Sequence, residues 1–105
     1  MTFRVKRNET ETVLEVAGAI RIHSSSQFRT ALLDLLRNPA NRHVVVDLSQ
    51  VDYVDSSGLA VFVEGLKEAR KTKATLVLRG VQENLRYLLE VTRLLPLFQL
   101  EDVAS

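Results

Sequence analysis

Cysteine is absent from this chain of 105 residues, and only two histidines, His23 and His43, are present. Without cysteine there can be no disulfide framework, no thiolate nucleophile and no cysteine-ligated metal. Glycine-rich phosphate-binding loops are also missing, since no Gly-x-Gly-x-x-Gly and no Gly-Lys-Ser/Thr pattern occurs. These absences remove the familiar nucleotide cradles and leave few ways to build a catalytic or metal centre.

Neither sign of charge dominates, because the chain has 14 lysines and arginines and 13 aspartates and glutamates, which gives a formal net charge of +1. This balance does not suggest binding to nucleic acid or to a membrane surface. No apolar run approaches the roughly 20 residues of a membrane-spanning helix, and the first residues lack an apolar signal core. We therefore expect a cytoplasmic protein without membrane insertion. The length and the 46% hydrophobic content predict a single domain over residues 1–105.

The strand signals begin with a hairpin. Apolar and charged residues alternate on both sides of Asn8-Glu9-Thr10, which predicts two antiparallel strands around a polar turn. Residues 44–48 form a nearly unbroken β-branched run, which is typical of a strand covered on both faces. A second short apolar strand is predicted at residues 75–78. Residues 97–100 are expected to add an edge strand or to pack as an extended tail.

Helical spacing of apolar residues predicts three helices between these strands. The first follows the cap-forming hydroxyls of His23-Ser24-Ser25-Ser26 and stops at Asn38-Pro39. The second covers roughly residues 57–71, and the third follows the turn at Gly80. Strands and helices alternate from residue 12 onward, which favours an α/β fold with a mixed sheet of four to five strands and three or four helices packed on it.

The junction between the buried strand and the second helix carries Asp55-Ser56-Ser57-Gly58. Aspartate and serine are among the best helix N-caps, so capping alone would account for the cluster. A helix start also presents free N–H groups and a partial positive charge, which favour an anion placed on a serine. We interpret Asp55 and Ser56 as caps and Ser57 as the hydroxyl that would carry such an anion.

The sequence offers little support for enzyme activity. A serine nucleophile needs an oriented histidine base, and both histidines occupy structural positions, one in a cap region and one at a strand start. Asp47, Asp52 and Asp55 could be imagined as a magnesium site, but aspartates at strand ends are more commonly turn formers and caps. We therefore expect no enzyme activity, no metal and no cofactor.

Four segments, in order, give the chain a resemblance to the STAS domain family, which includes bacterial anti-sigma factor antagonists and the cytoplasmic tails of sulfate transporters. After the hairpin these are Gly18-Ala19-Ile20, residues 44–49, residues 54–59 and the tail at residues 94–100. The Asp-Ser-Ser-Gly-Leu element after an apolar strand is the most specific of them. The resemblance implies a STAS-type fold.

The resemblance also implies a partner-switching regulator phosphorylated on Ser57. Its partners would be an anti-sigma factor of the serine-kinase type, bound by the unphosphorylated form, and a serine phosphatase that restores that form. We expect the backbone N–H groups of Gly58 and Leu59 to hold the phosphate, so that the fold changes little. The residues expected to bind the partner are Asp55, Ser56, Gly58, Leu59, Arg21 and Ser24.

Arg21 departs from the family pattern, in which an acidic residue is common at this position. It could be a solvated strand-end arginine, it could pair with a phosphate on Ser57, or it could mean that the usual kinase is not the partner.

A second function stays open at this point. Small stand-alone STAS proteins also serve as non-enzymatic subunits of ABC transporters that move phospholipids between bacterial membranes. In that case the region of Ser57 would dock on a permease or an ATPase.

Overall fold

A computed structural model describes residues 1–103 of the chain. The five strands are β1 (Thr2–Arg7), β2 (Thr12–Ala17), β3 (His43–Gln50), β4 (Thr75–Arg79) and β5 (Gln99–Glu101). The three α-helices are α1 (Ser25–Arg37), α2 (Ser56–Thr72) and α3 (Glu83–Val91), and a single 3-10 turn, Leu95–Leu97, precedes β5.

The strands form one sheet in the order β1-β2-β3-β4-β5. The first pair is antiparallel, and the other three pairs are parallel. Each parallel connection passes through a helix and moves to the next strand in the same direction. Because such connections are almost always right-handed, all three helices lie on one face of the sheet.

The core lies between that face and the helices. It includes Leu14 of β2, Val46 of β3 and Leu78 of β4, each fully buried. Phe28 of α1 and Phe62 of α2 meet beneath them with ring centroids 5.1 Å apart. The alternate residues of the strands point to the opposite face, as the period of two requires.

The opposite face of β3 is covered as well, as its β-branched run predicted, and a charged side chain provides the cover there. Arg79 of β4 donates hydrogen bonds to Glu11, which precedes β2, and to Glu101 of β5. Since β3 lies between β2 and β4, the ion pair with Glu11 crosses over it. Val45 is only 2% exposed on this face. The β-branched run therefore indicated burial correctly but not what provides it.

The predicted helices are present, but the N-terminus of α1 is not capped by serine hydroxyls. Ser24 holds the N-cap position without a side-chain hydrogen bond to the helix, and its hydroxyl instead accepts from Arg21 N at 3.1 Å. The hydroxyl of Ser25 donates to the carbonyl of Ile22 at 3.4 Å. These serines shape the loop before α1, so this part of the capping prediction was wrong.

The predicted turn at Asn8 is confirmed, because its side-chain oxygen accepts from the backbone N–H groups of Thr10 and Glu11. The predicted fold class is confirmed as well, with five strands in a mixed sheet. The tail forms a strand, β5, parallel to β4. In the part of the chain from residue 1 to residue 103, none of the helices has the length and apolar character needed to span a bilayer.

Replacing Arg79 tests whether this charged cover stabilises the sheet. Its side chain is 19% exposed and pairs with two carboxylates. We expect Arg79→Ala to lower the free energy of unfolding by about 1–3 kcal/mol, because charged hydrogen bonds are lost over an apolar strand. Arg86→Ala removes an exposed pair with Glu90 and should cost less than about 0.5 kcal/mol. Urea denaturation of both variants measures the difference; equal costs would contradict the role given to Arg79.

Candidate functional site

Two connections meet at the carboxyl ends of β2 and β3. Ile20, after β2, forms an isolated parallel bridge with Val54, after β3. Ile20 N donates to the carbonyl of Tyr53 at 2.9 Å, and Asp55 N donates to the carbonyl of Ile20 at 3.0 Å. Because parallel neighbours end at the same edge of a sheet, segments more than thirty residues apart along the sequence lie side by side.

Asp55 caps α2 and also binds the neighbouring loop. Its Oδ1 accepts from Ser57 N at 3.0 Å and from Gly58 N at 3.2 Å. Its Oδ2 accepts from Ile22 N at 2.9 Å. The capping role predicted for Asp55 is confirmed. One carboxylate therefore joins the helix start to the loop between β2 and α1.

The two serines differ in their surroundings. Ser57 is partly buried, and its hydroxyl donates to Asp55 Oδ1 at 2.5 Å. Ser56 is exposed, and it is the first residue of α2 and not a cap. The cap role predicted for Ser56 was therefore wrong, because Asp55 supplies the acceptor for both N–H groups. Ser57 is not occluded inside the molecule, which is the condition on which its predicted role depends.

Gly58 and Leu59 lie against the core and offer no side-chain contact surface. A Cβ at Gly58 would come within 2.7 Å of both Ile20 Cγ2 and Val54 Cγ1. Leu59 is 9% exposed and belongs to the core cluster. Both side-chain positions hold the helix start against the bridge between Ile20 and Val54, and the contact of Gly58 and Leu59 with a partner stays a prediction.

The same two residues do not provide the phosphate cradle that we expected. Gly58 N is hydrogen-bonded to Asp55 Oδ1, and Leu59 N donates to the carbonyl of Asp55 at 3.0 Å. Both donors are already engaged by the capped helix. A phosphate on Ser57 would have to compete with them or remain at the surface.

Exposed side chains surround the helix start on the side of the loop. The guanidinium of Arg21 lies over the ring of Tyr53, 4.3 Å from its centroid, a cation–π arrangement. Ile22 is 69% exposed, and Ser24 is partly buried. Among the residues that the structure describes, no carboxylate pairs with Arg21. The structure therefore brings the predicted residues Arg21 and Ser24 to the loop beside Asp55.

Three residues of this region escaped the sequence reasoning. Ile22 and Tyr53 are large and exposed. The only signal that could have indicated them is which side chains point to solvent in the segments after β2 and β3. Asn84, at the start of α3, accepts a hydrogen bond from Val54 N at 2.6 Å. Nothing local predicts this contact, because it joins residues thirty positions apart.

The electrostatics of Asp55 follow from these contacts. The hydrogen bond from the Ser57 hydroxyl lowers the pKa of Asp55 below its ordinary value against a smaller opposing effect of burial, and the N–H groups of Gly58, Ile22 and Ser57 lower it further. All of these donors stabilise the charged form. Asp55 is thus a carboxylate at neutral pH, and the hydroxyl proton of Ser57 is directed toward it.

The three aspartates considered for a metal do not converge. Asp47 accepts hydrogen bonds from Ser49, Asp52 is exposed, and Asp55 is the cap. Across residues 1–103 no group of three histidine, aspartate or glutamate side chains is arranged to hold a metal ion. The Ser57 hydroxyl bonds to a carboxylate without an intervening histidine, so the geometry is not that of a hydrolase triad.

Comparison with known proteins agrees with this architecture. A family model described as "Mlab, STAS domain" matches residues 3–98. The anti-sigma-B factor antagonist of Bacillus subtilis is 34% identical over 90 residues, which cover 86% of this chain and 81% of that protein.

Two solved structures show the same fold. An anti-sigma-factor antagonist (STAS) domain protein from Planctomyces limnophilus has a TM-score of 0.81 at 20% identity, covering 97% of this chain and 91% of that one. The phosphorylated form of the Bacillus cell fate determinant SpoIIAA has a TM-score of 0.78 at 16% identity, covering 99% and 93%. With the family match over most of its length, the chain belongs to the STAS domain family.

The close packing at Gly58 leads to a stability prediction. Ile20 and Val54 are β-branched and stiff, so they cannot easily yield to a methyl group 2.7 Å away. Gly58→Ala should destabilise the fold by about 1–3 kcal/mol, although alanine is usually the better helix former. Ser56→Ala, at the exposed neighbour, should stay within about 0.5 kcal/mol of the parent. Thermal and urea unfolding provide the test, and a Gly58→Ala protein as stable as the parent would disprove the contact.

The lowered pKa of Asp55 predicts a pH effect on stability. A depressed folded pKa stabilises the fold above the unfolded value of about 3.9, and that contribution is lost as the pH falls through the folded pKa. Asp55→Asn cannot titrate, so the stability advantage of the parent should shrink as the pH is lowered below about 4. Urea unfolding of both proteins between neutral and acid pH measures this difference in the free energy of unfolding. A difference that stays constant over this range would show that the Asp55 charge does not contribute.

Proposed function

We propose that this protein is an anti-sigma factor antagonist that works by partner switching. In its unphosphorylated form it binds an anti-sigma factor that is also a serine kinase. Phosphorylation of Ser57 releases the antagonist, and a serine phosphatase restores it. The protein is itself a binding regulator without catalytic chemistry.

The observation that carries this proposal is the position of Ser57 at the accessible start of α2, next to exposed Arg21, Ile22 and Tyr53. Arginine and tyrosine are frequent anchors of protein interfaces, and an exposed isoleucine adds apolar area. The name of the Bacillus subtilis relative supports an anti-sigma factor as the partner. The phosphorylated SpoIIAA structure supports the view that this fold can carry a phosphate.

The physical effect of phosphorylation follows from the local contacts. A phosphate adds about −1.5 to −2 charges. The N–H groups of Gly58 and Leu59 are already engaged, and the Asp55 carboxylate is 2.5 Å from the Ser57 hydroxyl. The phosphate is therefore left facing the interface with its hydration. Burying it unpaired against a partner would cost several kcal/mol of affinity.

Arg21 supplies a positive charge on the loop beside the helix start. It follows the bridge residue Ile20 and precedes Ile22, whose N–H binds Asp55. Without an acidic partner in the described part of the chain, its guanidinium is free to pair with a carboxylate of the anti-sigma factor or with the phosphate. Its charge would then pair with the anti-sigma factor in the unphosphorylated state and with the phosphate in the phosphorylated state.

Affinity capture with the unmodified chain identifies the partner. The proposal expects recovery of a histidine-kinase-like ATP-binding protein that phosphorylates the chain on Ser57 when ATP and Mg²⁺ are added. Recovery of a transporter ATPase or permease in its place would support a role as a non-enzymatic subunit of a phospholipid-moving ABC transporter and would refute the switch. Phosphopeptide mapping that finds the phosphate on Ser56 would overturn the assignment of Ser57.

Substitutions at the two serines test the switch itself. Ser57→Ala should bind the captured kinase as the parent does and should not be released by ATP. Ser57→Asp should stay folded and bind at least about tenfold more weakly, because it places a charge in the interface. Ser56→Asp, with the same charge one residue away at an exposed position, is the matched control and should bind more tightly than Ser57→Asp. If Ser57→Asp binds as tightly as the parent in titration calorimetry, or if ATP releases Ser57→Ala, the phospho-switch is wrong.

A further inference from the structure

Two adjacent serines at the start of α2 raise the question of which hydroxyl accepts a phosphate. Ser56 is exposed, whereas Ser57 is partly buried. Accessibility alone would therefore favour Ser56. Some other feature of the structure must favour Ser57 if the modification is to be confined to it.

The feature that distinguishes Ser57 is its hydrogen bonding. Its hydroxyl and its backbone N–H both donate to Asp55 Oδ1, at 2.5 and 3.0 Å. These two contacts fix the side-chain rotamer. The hydroxyl of Ser56 makes no comparable hydrogen bond to any residue between 1 and 103. One hydroxyl is thus oriented before a kinase arrives, and the other is free to rotate.

We propose that Asp55 is the positioning residue that makes Ser57, and not Ser56, the phosphate acceptor, an inference that rests on the proposed function. The hydroxyl proton of Ser57 points at Oδ1, so the lone pairs of its oxygen lie on the side away from Asp55, where a donor phosphate can approach. Orientation of the attacking group is already fixed in the free protein, which lowers the entropic cost of reaching the transition state.

The transfer itself balances with ATP as the donor. A bond forms between Ser57 Oγ and the γ-phosphorus, the bond between that phosphorus and the β,γ-bridging oxygen breaks, and ADP leaves. The hydroxyl proton is released to water as the new bond to phosphorus forms. The lowered pKa of Asp55 makes it a weak base, and its part is to orient the hydroxyl and not to drive the proton transfer.

Variants at Asp55 separate positioning from capping. Asp55→Gly removes every side-chain acceptor while keeping a residue tolerated at N-caps, and Asp55→Asn keeps an acceptor oxygen and is also a favoured N-cap residue. Asp52→Gly removes an exposed carboxylate of the same connection and is the matched control. The kinase is the ATP-binding protein captured with the parent chain, used with ATP and Mg²⁺. Mass spectrometry gives the ratio of phosphate on Ser57 to phosphate on Ser56, and initial rates give kcat and KM.

We expect Asp55→Gly to lower the Ser57 to Ser56 ratio by about tenfold or more, mainly through kcat. Asp55→Asn should retain most of the preference, and Asp52→Gly should match the parent. A purely structural role would instead raise KM and leave the ratio unchanged. Circular dichroism confirms that each variant is folded. If both Asp55 variants keep the Ser57 to Ser56 ratio of the parent, the positioning role is overturned. If the captured kinase does not phosphorylate the parent protein at all, the proposed function is overturned.

A measurement without the kinase gives a second test. Three-bond scalar couplings in the free protein report the χ1 rotamers of the two serines. We expect a single rotamer for Ser57 and averaging for Ser56, with averaging at Ser57 in Asp55→Gly. Averaged couplings at Ser57 in the parent would show that Asp55 does not hold the hydroxyl and would overturn the inference even where the kinase acts on Ser57.

Discussion

The carboxylate of Asp55 connects the two segments on which the candidate site depends. Its Oδ1 accepts from the start of α2, and its Oδ2 accepts from Ile22 in the loop after β2. The backbone bridge between Ile20 and Val54 brings these segments close enough for one side chain to serve both. The same carboxylate therefore caps the helix and places the loop. A change at Ser57, which is hydrogen-bonded to that carboxylate, affects both.

The sheet topology explains why this interaction lies at the surface. Parallel strands β2 and β3 end at the same edge, and their connections leave the sheet together before entering α1 and α2. The core lies between the helices and one face of the sheet, below this edge. A charge added there reaches solvent or a partner without entering the core, so the fold can remain while the surface changes. The proposed change of partner requires this separation.

Much of the architecture could be predicted because its signals are local. The hairpin turn at Asn8, the helices and the α/β class follow from residue periodicity and turn chemistry within short windows. The importance of the segment at residues 55–58 followed from cap-forming residues after an apolar strand, strengthened by the family resemblance. The errors arose where one local role had several candidates. Asp55, Ser56 and the serines before α1 could all cap, and only the observed hydrogen bonds show which of them does.

Other features could not be predicted because burial depends on contacts between distant segments. The apolar run in β3 correctly indicated cover on both faces, but not that Arg79, reaching across to Glu11, provides one of those covers. Gly58 and Leu59 were expected at the interface, yet they pack toward Ile20 and the core. The amino-acid order by itself determined the elements, their sequence and the serine at the helix start, since these depend on neighbours along the chain. Only the tertiary structure decided which carboxylate holds that serine, which donors are already occupied and which side chains face outward, because each depends on residues brought together across the sheet edge.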